Sequence, residues 1–354
     1  MAQIAWYAIT LFCLAMYVLL DGYDLGIGVL LLADRDDERR REMVELVATA
    51  WDGNESWLVL LGVALFGGLP AAYGVLLPAL YVPVLVMLFA IIFRGVAIEM
   101  ISAAPGFPRG WGWAFGLGSL VASFAQGVTL GGLLSGVALR GGVFAGASFD
   151  FLTPYAVLTG FAAVALYATA GAAVLRVKTE GAFYRRAMLA GRAALVATVA
   201  LAAASAAALA PATATPVRLG EPGRLAAFVV LVLVAAAGLG LAGRGFGRRP
   251  DWVATAGVTA AEGAGLAGLL VAIYPVVVPP RLDLAAAAAP AGSLNFLLVG
   301  VGVNLPLVLF YNWYAHHVFR GKYRVLLAAR PTGQSAAARA TDPTPATPRG
   351  KVTP

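Results

Sequence analysis

The chain has 354 residues, 60% of them hydrophobic and only 12% charged, with a formal net charge of +7 and a mean hydropathy of +0.83. A soluble domain is roughly 45–50% apolar and about 25% charged; it could not hide this much apolar surface, whereas a bilayer accepts one helix for every ~20 apolar residues. The composition excludes an ordinary soluble enzyme. Nor does the positive charge point to nucleic acid, because Lys and Arg fall in short loops between apolar runs and not on one face.

In chain order, nine apolar runs are read as membrane spans, near residues 4–32, 43–67, 71–98, 111–138, 154–175, 187–210, 224–243, 252–274 and 293–319. Each is expected to be helical, because lipid leaves backbone polar groups no partner outside a helix or closed barrel, and barrel strands would alternate. The first run has no basic segment before it and is too long for a signal peptide, so it is expected to remain as a helix. Together residues 1–323 form one transmembrane domain in an all-α, polytopic, multi-pass protein of about nine helices. The stretch 331–354 is polar and rich in Pro, Ala and Thr, and is expected to be a disordered cytoplasmic tail.

The loops set the orientation. Arg35, Arg39, Arg40 and Arg41 follow the first span, and Arg109 follows the third. Arg176, Lys178, Arg185 and Arg186 follow the fifth; Arg244, Arg248 and Arg249 the seventh; Arg320, Lys322 and Arg324 the ninth. The intervening loops carry only Arg140, Arg218, Arg224 and Arg281. The positive-inside rule then places the N-terminus outside and the C-terminus in the cytoplasm.

Two polar patches interrupt the apolar runs. DGYDLGIG, from Asp21 to Gly28, lies late in the first span, and WDGNESW, from Trp51 to Trp57, lies in the second. Counting ~1.5 Å per residue puts Asp24 and Asp52 at similar depths, roughly 13–14 Å from the cytoplasmic side. A tight antiparallel hairpin would pair Asp24 with Asp52 and, one rung further in, Asp21 with Glu55. Each pair on one helix has i, i+3 spacing and shares a face. A charged Asp at a helix centre costs about 2.5–3.5 kcal/mol on insertion scales. Adjacent carboxylates in low dielectric also disfavour one another's charge, which suits proton sharing. Gly22, Gly26, Gly28 and Gly53 leave room for helices or water to approach. The plain alternative is interhelical glue, each such hydrogen bond contributing less than ~1–2 kcal/mol; four acids in two matched rungs favour a polar path instead. A cation or substrate site, as in a proton- or cation-coupled transporter, is the main rival.

Elsewhere the polar residues say less. Arg94 and Glu99 are expected to form an interfacial ion pair or to snorkel to the headgroups. Glu262, alone in the eighth span, is either a private proton site or a packing residue. Gln126, Asn295, Asn304 and Asn312 suit helix–helix hydrogen bonds, and Trp111 and Trp113 an aromatic belt. His316 and His317 are adjacent and project about 100° apart on a helix, so they cannot easily hold one metal. The single cysteine, Cys13, forms no disulfide within the chain. No redox metal or haem is expected in this chain, and no nucleotide-binding or hydrolase motif occurs.

DGYDLGIG followed by WDGNESWLV, at this spacing, resembles subunit II of the cytochrome bd quinol oxidases. FRGVAIE (Phe93–Glu99), IYPVVVPP (Ile273–Pro280) and YNWYAHHVFRGKY (from Tyr311) resemble further landmarks of that family. The resemblance implies a prokaryotic cell-membrane protein without a complete active site of its own. It would pack against a haem-bearing subunit I that carries haems b and d and oxidises ubiquinol or menaquinol electrogenically, reducing oxygen to water. It leaves open a structural quinone in this chain and small accessory membrane subunits. Carried over, the family's proton-path acids match Asp24 and Asp52, with Asp21 close to the same path; Glu55 enters only from the rung pairing described above. Trp51, Gly53, Asn54 and Trp57 match the framework of the second motif.

Overall fold

The computed structural model describes residues 1–318 apart from 214, 216, 248 and 249, together with the side chains of these residues except 182, 315 and 316. The expected tail, Arg248, Arg249, the basic cluster at Arg320–Arg324 and the His316 side chain therefore lie outside the described residues.

The protein is an all-α polytopic membrane protein. Among the described residues eight helices are long and apolar enough to cross a bilayer: α1 (Ala2–Leu31), α4 (Pro70–Ala103), α5 (Arg109–Ser135), α6 (Pro154–Lys178), α7 (Gly181–Ala212), α8 (Pro222–Gly245), α9 (Trp252–Ile273) and α11 (Ala291–Val318). The second expected span is the exception. It breaks at residues 48–50 into α2 (Asp37–Val47) and α3 (Trp51–Gly68). α2 starts on an Asp36 cap whose carboxylate accepts from the Glu38 and Arg39 backbone N–H groups, and it carries Asp37 and Glu38 in its first turn. α3, at 18 residues, is roughly 27 Å long. Its length nearly matches the hydrocarbon layer, but Asp52, Asn54 and Glu55 keep its apolarity below that of the other eight.

α1 is the central helix. α3 runs antiparallel along it, tied at one end by the Trp6 indole N–H donating to the Ala64 carbonyl (2.9 Å) and further along by Asn54 beside Asp24. α5 and α6 pack on its other sides. The α1–α6 crossing is a backbone contact: a side chain at Gly26 would meet the Tyr167 carbonyl, and one at Gly171 would meet the Gly26 backbone. Small residues let transmembrane helices approach this closely. Gly238 and Gly257 do the same for α8 and α9. α4 contains Pro78 and Pro83, and Leu80 between them leaves helical geometry (φ −121°, ψ 16°), so the helix kinks there.

One end of the bundle gathers the start of α1, the turn at Gly68–Pro70 and two small hairpins. The first, β1 (Leu139–Arg140) with β2 (Val143–Phe144), turns on Gly141 and Gly142, both at positive φ, as such tight turns require. The second pairs β3 (Val276–Val278) with β4 (Leu282–Asp283), followed by the one-turn α10 (Leu284–Ala287). Leu69, Val137, Val278 and Leu284 share an apolar cluster there. The opposite end carries α2 and most of the arginines. Arg41 donates to the carbonyls of Ala104 and Gly106, Arg192 to that of Phe246, and Arg186 lies 3.9 Å from Asp34.

Candidate functional site: a buried acid–arginine network

The inner part of α1 turns Tyr17, Asp21 and Asp24 away from lipid; the two acids are 0% and 1% exposed. α3 presents Asn54 and Glu55 to them, and α4 sends in Arg94, which is also fully buried. Arg94 Nη2 donates to Asp21 Oδ1 at 2.6 Å and to Glu55 Oε1 at 2.5 Å. A turn away, Asn54 Nδ2 donates to Asp24 Oδ2 at 2.8 Å and reaches the Tyr23 hydroxyl at 3.0 Å. Three helices thus converge on one guanidinium, two carboxylates, a third carboxylate and an amide.

The inner rung expected from sequence is present, with a cation inserted: Asp21 and Glu55 meet through Arg94. The outer rung is not. Asp52 is exposed on the outer face of α3, and Asn54 occupies the place opposite Asp24. The physical reason is the break at 48–50. The depth count assumed one continuous helix from residue 43, whereas α3 restarts at Trp51 and its rotation is reset. Arg94 also departs from expectation. It neither snorkels nor pairs with Glu99, which is exposed. α4 continues to Ala103, so Arg94 lies nine residues inside the helix end, roughly 14 Å, too deep for its side chain to reach the headgroups. Its depth is set by five residues of helix beyond the expected end at 98, and no signal at Arg94 itself gave that away.

The framework residues hold α3 in place. Trp57 is fully buried and meets Phe12 edge-to-face at 5.6 Å. The Trp51 ring lies against Gly95, one residue past Arg94, close enough that a β-carbon there would sit 3.2 Å from it. Gly53 faces Tyr311 and Asn312 of α11. Gln126, expected from the sequence only as a helix–helix hydrogen-bonder, reaches the edge of the site from α5. Gln126 donates to the Tyr17 hydroxyl at 2.7 Å and accepts from the Tyr167 hydroxyl of α6 at 2.8 Å. Asn304, by contrast, is exposed, and among the described residues its side chain bonds to the Gly300 carbonyl of its own helix.

Electrostatically the cluster is under-compensated. With both partners ionised, Asp21, Glu55 and Arg94 sum to −1, and Asp24 adds a further acid with only a neutral amide beside it. A buried ion pair holds together only when its remaining donors and acceptors are satisfied. Here Arg94 Nε and Nη1, Asp21 Oδ2, Asp24 Oδ1 and Asn54 Oδ1 have no hydrogen-bond partner among the described residues. Such groups are where ordered water binds, two to four hydrogen bonds each, and together they outline a polar seam from Asp24 to Glu55. Glu55 is the one member with partial exposure, 18% of its side chain, so the seam opens on the α3 side. Among the described residues no three His, Cys, Asp or Glu side chains converge as metal ligands.

These features define a polytopic membrane protein with a charged network buried among its helices. Residues 2–319 match the family described as cytochrome bd terminal oxidase subunit II, and the chain belongs to that family. Subunit 2 of the cytochrome bd-I ubiquinol oxidase of Escherichia coli (strain K12) is 32% identical over 201 residues, 54% of this chain and 53% of that protein. The matched region thus spans about half the length of that relative. The corresponding cytochrome bd ubiquinol oxidase subunit 2 of Bacillus subtilis (strain 168) is 26% identical over 332 residues, 89% of this chain and 95% of that protein. The structure of the bd oxidase from Geobacillus thermodenitrificans superposes with a TM-score of 0.72 at 15% identity, over 90% of this chain and 98% of that one, and shares the fold. The transporter alternative has no support from these relatives.

Proposed function

We propose that this chain is the haem-free subunit of a quinol-oxidising, oxygen-reducing membrane complex, and that the buried network on α1, α3 and α4 carries protons toward the haems of its partner. The resemblance supplies the partner, a subunit I with haems b and d, and the reaction, oxidation of quinol coupled to reduction of oxygen to water. The observation that supports a proton path is the seam itself: Asp24 bonded to Asn54, and Asp21 and Glu55 bonded to Arg94, with unpartnered polar atoms among the described residues on Asp24, Asn54, Asp21 and Arg94.

The chemistry follows from charge. Oxygen reduction takes up protons at the haem, and a membrane-embedded haem can receive them only along groups that hold or orient a proton. Protons enter from the arginine-rich side, which the positive-inside rule assigns to the cytoplasm. Asp24 is the first acid of the network met from that side, and among the described residues its side chain accepts a hydrogen bond from the Asn54 amide, a partner compatible with either the charged or the protonated acid. Asp21 and Glu55 sit on opposite sides of one guanidinium; as Arg94 shifts weight between them, each in turn is freed to take a proton. Glu55 then stands at the open side of the seam, next to exposed Asp52 and Ser56 on α3, where the partner subunit would receive the proton. Because quinol protons leave on the opposite side, the reaction is electrogenic without a pump.

The experiment is to make Asp24→Asn and Asp21→Asn in the assembled complex and measure oxygen consumption with haem content as the control. Slowed turnover with haems retained supports the path; unchanged turnover in both variants removes it.

A further inference from the structure

The hairpin of α7 and α8 stands apart from the rest of the bundle in its charge. Between residues 181 and 247 the chain holds one acid, Glu221, and that residue caps the far end of α8. The arginine-rich end of the same two helices carries Arg185, Arg186, Arg192 and Arg244. Other arginines at that end are answered by acids: Arg39 by Asp34, Arg41 by Glu45 and Arg109 by Asp37. Among the described residues Arg192 and Arg244 have no acid in ion-pair range. The acids of the neighbouring segments are turned elsewhere. Asp251 lies 3.8 Å from Arg176, and Glu262 of α9 is inside the bundle, 6% exposed.

Both guanidiniums are set at the last turn of α8. Arg192 Nε donates to the Phe246 carbonyl at 3.0 Å, capping α8, and its two Nη groups keep their hydrogens to give. Arg244 lies back along its own helix. Its Nη1 is 3.8 Å from where a β-carbon on Gly240 would stand, one turn further into the membrane. A guanidinium laid toward the hydrocarbon, instead of reaching out to water, is costly unless an anion meets it.

Beside these arginines the two helices touch. A side chain at Gly191 would strike the Phe246 ring, and one at Gly243 would meet Leu195. Further in, the same faces carry Val199 and Ala202 on α7 and Ala236 and Val232 on α8, and all four are exposed. The helices therefore part, α7 staying against α6 and α8 against α9. They leave an apolar cleft that narrows toward the arginines.

We propose that this cleft seats one anionic phospholipid, its phosphate held by Arg192 and Arg244 and its acyl chains lying along Val199 and Val232. A guanidinium matches the oxygens of a phosphate two at a time, and basic pockets between helices on the cytoplasmic side are suited to acidic headgroups. The apolar walls select a lipid over a soluble anion. Once seated, the lipid joins two helices that share little protein contact with each other. The site uses no residue of the network around Arg94, so its test stands apart from that of the proton path.

The purified complex, delipidated in detergent, is titrated with phosphatidylglycerol, and bound lipid is read by native mass spectrometry. The difference between variants isolates this site from any lipid held by the partner subunit. The wild type is expected to bind phosphatidylglycerol more tightly than phosphatidylcholine. Arg244→Gln is expected to weaken that binding about fivefold, and Arg192→Gln with Arg244→Gln about thirtyfold, the loss of one and of two cations beside an acidic lipid. Arg35→Gln removes one exposed cation from the same end and is expected to leave the affinity unchanged. Inorganic phosphate in large excess is expected not to displace the lipid. Because Arg192 also caps α8, Arg244→Gln alone decides the question if the double variant does not assemble. Unchanged affinity in Arg244→Gln, an equal loss in Arg35→Gln, equal binding of phosphatidylcholine, or displacement by inorganic phosphate each overturns the proposal.

Discussion

Arg94 Nη2 stands between Asp21 Oδ1 and Glu55 Oε1, 2.6 Å from one and 2.5 Å from the other, and all three side chains come from different helices. One nitrogen thus joins α1, α3 and α4 at a point where the Arg94 side chain is fully buried. Removing the guanidinium leaves two buried carboxylates with no cation. Arg94→Leu is therefore expected to cost about 3–5 kcal/mol, the usual cost of breaking a buried pair from one side. Arg94→Lys keeps the charge but loses the planar fork and is expected to fall between. Thermal stability and yield of the detergent-solubilised protein measure this; an Arg94→Leu protein as stable as the wild type would falsify the central role of the pair.

Asp24 and Asp52 are expected to behave differently, although the sequence presents them alike. Asp24→Asn keeps a hydrogen-bonding side chain against Asn54 and abolishes proton exchange, so assembly holds and oxygen consumption drops. Asp52→Asn lies on an exposed face and is expected to change stability by no more than ~0.5 kcal/mol. Its effect on turnover reports on the hand-over to the partner. Equal melting temperatures for wild type and Asp52→Asn, set beside separate turnover measurements, check both statements.

How much of this could be read beforehand depends on helix continuity. The apolar runs located α1 and the six spans from α4 to α9 to within a few residues, because twenty-odd consecutive apolar residues have no other use. The acids on α1 were also legible, as charged groups in an apolar run must be. What failed was rotation. A three-residue interruption at 48–50 carries no proline and only the ordinary residues Ala48, Thr49 and Ala50, yet it swaps Asp52 for Asn54 opposite Asp24. Gln126 was legible only as a generic helix contact, because its two partners lie 109 and 41 residues away in sequence.

The α1–α6 crossing makes a steric prediction. Gly26→Ala drives a methyl into the Tyr167 carbonyl, and overpacking of this kind costs about 1–3 kcal/mol. Gly62→Ala, where a β-carbon meets nothing within 4 Å, is the matched control. A lower melting temperature for the first and none for the second is expected; equal values for both would mean that α6 can slide along α1.

At the arginine-rich end, Asp34 gives a pH dependence. Burial pushes its carboxyl up, but hydrogen bonds from the Arg39 guanidinium (2.7 and 2.9 Å) and the Asp36 N–H, with the charges of Arg39 and Arg186, win and hold it below the usual carboxylate range. A depressed carboxyl contributes stability that is complete above its unfolded value near 4 and is lost as pH falls through the lower folded value. Asp34→Asn should thus melt below the wild type at pH 7, with the gap closing as the pH falls below the ordinary carboxylate range. A gap that widens on acidification would reverse the assignment.

The short, polar character of α3 bears on how the protein is made. During synthesis α1 emerges with two acids, and α3 follows with Asp52, Asn54 and Glu55 in its first five residues, too polar for ready partition into lipid by itself. The cation that answers these acids, Arg94, comes 39 residues after Glu55 in the chain. Entry of α3 into the membrane is therefore expected to be aided by α4, whose Arg94 offsets part of the charge of α1 and α3 once all three are in place. Arg94, which as a lone residue would hinder insertion of its own helix, becomes the group that lets its predecessor in.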